Sequence, residues 1–354
     1  MKTKIIAIHP DFPESDRIAQ CAKVIRQGGL VVFPTETVYG IAADYSNLKA
    51  MSRLREVKKR SENKPFSIMT WQKGMIANLT YFSEPTLYKM IDRYWPGPLT
   101  VIVPSREEGS TVGVRMPDHL IALSLVQASQ CTIAAPSANF EGSEPPSTCE
   151  EALRELDGLV DIAIDGGPSK LGIGSSVVDF TRIPPKVLRE GIIKQDDVDR
   201  TTRQKTVLFI CTGNSCRSVM AEYLLRKKTE HRENIEVLSA GTGVYVRAGA
   251  SAETVSVLRS KGIDAAQHHS QPVNSILLKK ADLILVMTKG HRQQVLEWVP
   301  EVEKRVYLLK EFANIPKGFE GDMDIPDPIG KPHAAYEECM LTIQEAINKI
   351  VELI

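Results

Sequence analysis

A cysteine and an arginine six positions apart, in Cys211-Thr-Gly-Asn-Ser-Cys-Arg217 and followed by Ser218, are the residues in this chain best suited to covalent chemistry. They lie between an apolar run, Val207-Leu-Phe-Ile210, that reads as a strand and a segment from Ser218 to about Lys228 that reads as a helix. A loop at a helix amino terminus turns several backbone N–H groups inward, and together with the helix dipole they favour an anion. Gly213 is expected to permit the tight curvature of such a cradle. Thr212, Asn214, Ser215 and Cys216 complete the loop. In that setting Cys211 can act as a thiolate nucleophile on phosphorus. Arg217 can grip two phosphoryl oxygens with its planar fork, and Ser218 can hydrogen-bond to the sulfur. The leaving group needs a proton from elsewhere in the fold. Asp327, held between prolines in Asp324-Ile-Pro-Asp-Pro-Ile-Gly330, is the candidate general acid, with Asp324 as the alternative. Cys216 has two readings, a redox partner for Cys211 or a small buried loop residue.

The amino-terminal half offers hydroxyls and cations instead of a nucleophile. Pro34-Thr-Glu-Thr-Val-Tyr-Gly40 follows an apolar run and gathers hydroxyls, a carboxylate and a phenol at one turn. Lys58-Lys-Arg60, with Ser61 and Asn63, closes a predicted helix. A basic cluster there either faces solvent as a dipole partner or holds polyphosphate. Further on come Tyr94-Trp-Pro-Gly-Pro-Leu-Thr100, Val114-Arg-Met-Pro-Asp-His119, Ala135-Pro-Ser-Ala-Asn139, Gly172-Ile-Gly-Ser-Ser-Val-Val-Asp179 and Val187-Leu-Arg-Glu-Gly191. Adjacent His268 and His269 lack a third ligand nearby and read as surface residues, so no metal site is expected.

These groups have to be positioned by an α/β scaffold. Strands are expected at Leu30–Phe33, Val101–Val103, Thr132–Ala135 and Ser176–Phe180, then at Val207–Ile210, Ile235–Val237, Leu283–Met287 and Val306–Leu309. Helices are expected at 252–261 and over the tail from about Ala334 to Ile354. Strand–helix alternation in the second half predicts a small doubly wound parallel sheet. The stretch 194–204 is dense in charge, with Val198 as its one apolar residue, and reads as a linker between domains at 10–193 and 205–354. A chain of 354 residues with 42% hydrophobic content, 25% charge and zero net charge fits two globular domains. It predicts no global attraction to nucleic acid or anionic membrane. Six scattered cysteines argue for reduced thiols. No apolar run suits a signal peptide or a membrane span, so a cytoplasmic protein is expected.

The phosphate-loop residues, Ser239-Ala-Gly-Thr242 and Ala281-Asp-Leu-Ile-Leu-Val-Met287 running into a turn at Thr288-Lys289 resemble the low-molecular-weight phosphatase family over essentially all of 205–354. The resemblance implies a cofactor-free hydrolase of phosphoproteins. Tyrosine-specific members usually carry isoleucine where this chain has Ser215, and two aromatic residues after Asp-Pro. Arginine-specific members usually carry threonine there and Asp-Pro-Phe-Gly. Ser215 leaves polar room that suits a guanidinium, while Ile329 matches neither pattern, and phosphoarginine is the favoured substrate over phosphotyrosine. The amino-terminal motifs, taken together and in order, resemble the YrdC family of threonylcarbamoyl-adenylate synthases across about 10–193, which implies a twisted mixed sheet. The resemblance implies use of ATP, threonine and bicarbonate, with Mg²⁺, to give threonylcarbamoyl-AMP for tRNA modification, and tRNA or tRNA-modification proteins as partners. By the same resemblance Lys58, Arg60, Ser137, Asn139 and Arg189 bind the nucleotide. Thr35 and Tyr39 line the threonine pocket, Arg115 pairs with a carboxylate or carbonate, and Ser176 stands where many members have threonine. The alternative is an active phosphatase carrying a YrdC-like RNA- or nucleotide-binding regulatory module.

Overall fold

Alternation of side chains on two faces organises the carboxy-terminal unit around one strand, Lys205–Cys211. Val207, Phe209 and Cys211 enter one core cluster, with Leu224, Ile343 and Ile347. Leu208 and Ile210 enter another, with Leu278, Val286 and Val295. A strand apolar on both faces has to be covered on both, which is the setting of a parallel sheet. The computed structural model, which describes residues 2–61, 64–313 and 323–354, shows that sheet. Its order is Ile235–Gly241, Lys205–Cys211, Leu283–Val286, Val306–Leu308, and every pairing is parallel. The first strand in sequence is therefore flanked by the second and third, so its carboxyl end opens at the switch point where ligands bind in such folds. Helices Arg217–Lys228 and His333–Leu353 bury residues in the first cluster; Ser275–Lys280 and Lys289–Trp298 bury residues in the second. The expected turn at Thr288-Lys289 is instead a helix start, because the Thr288 hydroxyl accepts the His291 N–H at 3.2 Å.

The amino-terminal unit is a mixed sheet. Its spatial order is Lys4–Ala7, Ile162–Asp165, Val31–Phe33, Gly40–Asp44, Ile133–Ala134, Ile68–Met69, Thr111–Arg115, Leu99–Pro104, Ser176–Asp179 and Lys186–Arg189. The central pairs through Gly40–Asp44 and Ile133–Ala134 are antiparallel, whereas Ile68–Met69 with Thr111–Arg115 and Leu99–Pro104 with Ser176–Asp179 are parallel. Val31 and Phe33 pack on one face with Ile25, Ile121 and Leu125; Leu30 and Val32 pack on the other with Ile41, Leu54 and Leu156. Helix Leu48–Lys58 is capped by Asn47 and ends at Lys59 in the left-handed region, φ +50.

The two compact units run up to Phe82 with Lys89–Thr201, and from Thr202 onward with Ser83–Tyr88. The expected linker is not extended: Gln195–Arg203 forms a helix. Asp196 and Asp197 occupy its first turn, where the dipole favours them, and Asp197 accepts the Lys194 N–H at 3.1 Å. Val198 and Thr201 are buried, so the lone apolar residue of the stretch is the helix's inward face. No helix among the described residues is long and apolar enough to cross a membrane.

Candidate active sites

The loop after Lys205–Cys211 curls at the amino terminus of Arg217–Lys228. Neighbouring strand ends hold it in place: Thr242 N–H donates to the Cys211 carbonyl and Gly243 N–H to the Thr212 carbonyl, both at 2.9 Å. Cys211 Sγ lies 3.0 Å from Ser218 Oγ, and both side chains are buried. The curvature comes from Asn214, at φ +49, and not from Gly213, whose φ lies outside the left-handed region. Asparagine reaches that region because its short polar side chain bonds locally. Asn214 Nδ2 donates to Ser218 Oγ at 3.0 Å and to Ser239 Oγ at 2.7 Å, and its Oδ1 accepts the Gln271 N–H at 2.9 Å. Ser239 Oγ in turn donates to the buried Glu222 carboxylate. His268 is buried rather than a surface residue: its Nε2 sits 2.9 Å from the Asn214 carbonyl and its Nδ1 3.9 Å from Glu222. His269 is exposed, and no group able to hold a metal occurs among the described residues.

The close approach of strand Ile235–Gly241 to the loop accounts for the glycine of Ser239-Ala-Gly-Thr242. A Cβ on Gly241 would lie 2.4 Å from the Thr212 carbonyl oxygen and 2.9 Å from Asn214 N. Arg217 is 4% exposed; Nη1 donates to the Ile325 carbonyl at 3.0 Å and Nη2 to Asp327 Oδ2. Among the described residues its Nε is buried without a hydrogen-bond partner, which suits an oxyanion beside the loop. Of the two acidic candidates, Asp327 is the one brought to Arg217. Asp324 accepts the Lys289 N–H at 2.8 Å and so anchors the start of helix Lys289–Trp298. Ser215 Oγ lies 3.6 Å from Cys216 Sγ, and Cys216 is buried in the core cluster as a free thiol. Sequence reading missed His291. Its Nε2 lies 3.0 Å from Thr212 Oγ1 and its Nδ1 2.8 Å from Thr288 Oγ1. Burial first, then the Arg217 charge, holds its pKa down at about 4, against the opposing pull of Asp327 and Asp324.

In the amino-terminal unit a cavity of about 350 Å³ opens against the sheet, within the range usual for small-molecule sites. Arg60, Lys64, Arg115, Ser137, Ser175 and Arg189 contribute its polar wall. Arg189 Nε donates to the Ser175 carbonyl at 3.0 Å and Nη2 to Ser175 Oγ at 3.1 Å; burial, then repulsion from Arg115, lowers its pKa. Arg60 stacks on Phe66, its Cζ 5.0 Å from the ring centre. Arg115 Nη2 lies 2.8 Å from Glu36 Oε1. The N–H is not aligned on that oxygen, however, so among the described residues Nη2 and both Glu36 oxygens are buried without a hydrogen bond. The cavity is thus a concentration of cationic side chains suited to a polyphosphate or carboxylate.

The family model for low molecular weight phosphotyrosine protein phosphatases matches residues 206–354, and the Sua5/YciO/YrdC model, described as telomere recombination, matches 23–191. A protein-arginine-phosphatase of Geobacillus stearothermophilus is 36% identical over 146 residues, spanning 41% of this chain and 93% of that protein. A putative threonylcarbamoyl-AMP synthase of Mycobacterium tuberculosis is 34% identical over 189 residues, spanning 51% of this chain and 87% of that protein. The chain belongs to both families. A solved structure of a Pyrococcus abyssi Sua5 variant matches with TM-score 0.52 at 25% identity, over 86% of this chain and 98% of that one. The chain spans 61% and 57% of the lengths of the Bacillus subtilis and Pyrococcus abyssi threonylcarbamoyl-AMP synthases.

Within the YrdC-family half, the expected nucleotide and threonine residues divide into wall and scaffold. Arg60, Ser137, Arg115 and Arg189 line the cavity. Lys58 does not: its buried ammonium donates to the Ser137 carbonyl at 2.7 Å and to the carbonyl and side chain of Asn139, and burial lowers its pKa to about 8. Asn139 Nδ2 donates to the Phe140 and Ser143 carbonyls, closing its own loop. Thr35 Oγ1 donates to the Val38 carbonyl at 2.6 Å, and Tyr39 OH to the Gly167 carbonyl at 2.6 Å. Both shape the turn beneath Val38, which does line the cavity. Ser176 faces away: its Oγ donates to the Ile193 carbonyl at 2.8 Å and accepts the N–H groups of Gly191 and Ile193, each at 2.9 Å. Alternation along the strand gives the cavity to Ser175 instead. Asn63 lies outside the described residues.

Proposed function

We propose that the chain is a bifunctional enzyme, a cysteine-dependent phosphatase acting on phosphoarginine in protein and an ATP-dependent threonylcarbamoyl-AMP synthase. The observation that carries the phosphatase reading is Cys211 Sγ in hydrogen-bond contact with Ser218 at the mouth of a loop completed by Arg217 and flanked by Asp327. Sγ attacks phosphorus, the P–N or P–O bond to the leaving group breaks, and Asp327 protonates that group. Water then attacks the thiophosphoryl group with Asp327 as base, returning Sγ and releasing phosphate. The loop N–H groups and the free Arg217 Nε hold the charge that develops on the phosphoryl oxygens. Ser215 at the loop supports a guanidinium over an aryl leaving group, whereas Ile329, 60% exposed, favours neither. The similarity to a protein-arginine-phosphatase supports the same choice.

In the synthase half the cationic cavity is suited to ATP and a threonine-derived carbamate. Bicarbonate and threonine form the carbamate; its oxygen attacks the α-phosphorus, and pyrophosphate leaves. Arg60, Lys64, Arg115 and Arg189 would neutralise that charge by position alone, with no covalent intermediate. Among the described residues no carboxylate lines this cavity, so those residues do not form a protein-held Mg²⁺ site, and Mg²⁺ is taken as part of the ATP substrate. The product serves tRNA modification, with tRNA-modification proteins as its recipients. The test is hydrolysis of phosphoarginine and phosphotyrosine side by side, with Cys211→Ser as the blank. A preference for phosphoarginine of tenfold or more, about 1.4 kcal/mol in the transition state, is expected. A preference for phosphotyrosine would refute the substrate assignment.

A further inference from the structure

Three side chains link the interior of the phosphatase unit to the rim of its loop. Thr288 Oγ1 accepts the His291 backbone N–H at 3.2 Å, which occupies a lone pair and leaves its own hydrogen to be placed. His291 Nδ1, 2.8 Å away, is placed to accept that hydrogen. A neutral imidazole carries a single N–H, so a ring that accepts at Nδ1 has its proton on Nε2. Nε2 lies 3.0 Å from Thr212 Oγ1 and in that tautomer donates to it. The Thr212 oxygen is then an acceptor, and its own hydrogen is left for a partner beyond the relay. His291 is 5% exposed, whereas Thr212, the residue next to the nucleophile, is exposed at the loop's mouth. The Thr212 carbonyl is already engaged by Gly243 N–H at 2.9 Å, which fixes the backbone from which the hydroxyl projects. The ring sits near Arg217, Asp327 and Asp324, and its depressed pKa keeps it neutral near pH 7.

We propose that Thr288, His291 and Thr212 form a directed hydrogen-bond relay that presents the Thr212 hydroxyl hydrogen to a phosphoryl oxygen of the substrate. Thr212 is then a catalytic residue, and His291 and Thr288 are positioning residues acting through it. The relay rests on the phosphatase reading for its purpose but not for its geometry. Two measurements test it. On the wild-type chain, nitrogen-15 correlation spectra at neutral pH should show His291 as the neutral tautomer protonated at Nε2; protonation at Nδ1, or at both nitrogens, overturns the relay. In p-nitrophenyl phosphate hydrolysis, Thr212→Val should lower kcat/KM about tenfold, the scale of one hydrogen bond to a charged group. His291→Leu should fall to the same level, His291→Gln, which keeps a donor amide, should recover most of the loss, and the double variant Thr212→Val, His291→Leu should be no worse than either. Losses that multiply in the double variant, or a Thr212→Val enzyme equal to wild type, overturn it. Absence of any Cys211-dependent hydrolysis in the wild type would refute the phosphatase reading, and the tautomer would still decide the relay.

Discussion

Adding one methyl group at Gly241, which supplies no reacting group, should disable the phosphatase. The Cβ of a Gly241→Ala variant would start 2.4 Å from the Thr212 carbonyl oxygen, 2.6 Å from Val244 Cγ2 and 2.9 Å from Asn214 N. Ordinary contact begins near 3.4 Å, so the loop backbone has to retreat by the difference, 1.0 Å at Thr212. Val244 Cγ2 is a side-chain atom that can turn aside, but the other two contacts are backbone of the loop that carries Cys211. Retreat there pulls on the 2.9 Å bonds from Thr242 to Cys211 and from Gly243 to Thr212. Overpacking of this kind costs about 1–3 kcal/mol of stability, which a domain with ordinary stability survives. A displacement of about 1 Å in catalytic geometry costs on the order of a hundredfold in rate. The assay is kcat/KM for p-nitrophenyl phosphate, with thermal unfolding recorded on the same preparation. A folded Gly241→Ala enzyme within threefold of wild type would refute the claim that this approach sets the loop's shape.

Arg217→Lys loses the fork that reaches Ile325 and Asp327 together and the free Nε, and should reduce kcat by about 10²–10³ while the chain remains folded. Asp327→Asn should slow a poor leaving group such as phenyl phosphate by about 10² or more, yet slow p-nitrophenyl phosphate much less, because p-nitrophenolate leaves without a proton; equal losses on both would remove Asp327 as the acid. In the synthase half, Ser176→Ala should destabilise by about 1–3 kcal/mol, since the buried Ile193 N–H and the half-buried Gly191 N–H lose their acceptor. Ser175→Ala should instead raise the KM for ATP in pyrophosphate release, because Arg189 loses its hydroxyl partner; a reversed pattern would contradict the assignment of sides. His291 has a folded pKa of about 4 against an ordinary 6.5, so the unfolded chain binds more protons between those values. Stability that is complete above pH 6.5 is therefore lost as the pH falls toward 4, by up to roughly 3 kcal/mol, and His291→Gln should flatten that limb in denaturant titrations.

The candidate phosphate loop was legible because it is contiguous: the seven residues from the end of one strand to the start of one helix, Cys211 to Arg217, contain the proposed nucleophile, cradle and arginine. Asp327 was legible from the flanking prolines. Residues that reach the loop from a distance were not. His291 lies 79 positions from Thr212, and His268 lies 54 from Asn214, and neither spacing has a local signature. Glycine's freedom suggested Gly213 as the curving residue, but the hydrogen bonds of the Asn214 side chain select Asn214 instead. In the amino-terminal half, two-residue strands such as Ile68–Met69 and Ile133–Ala134 are too short to show a period. Adjacent Ser175 and Ser176 differ only in the face on which the strand puts them, which a motif does not specify. The helix within the polar stretch after Ile193 was not legible because it buries only Val198 and Thr201 and shows no apolar period.

The central claim is that two separate active sites share one chain, and Cys211→Ser tests it most directly. Wild type and variant are assayed together for p-nitrophenyl phosphate hydrolysis and for pyrophosphate release from ATP in the presence of threonine and bicarbonate. The expected result is phosphatase turnover abolished and threonine-dependent pyrophosphate release unchanged. Loss of both activities in a folded variant, or retention of phosphatase turnover without the thiol, would contradict the account.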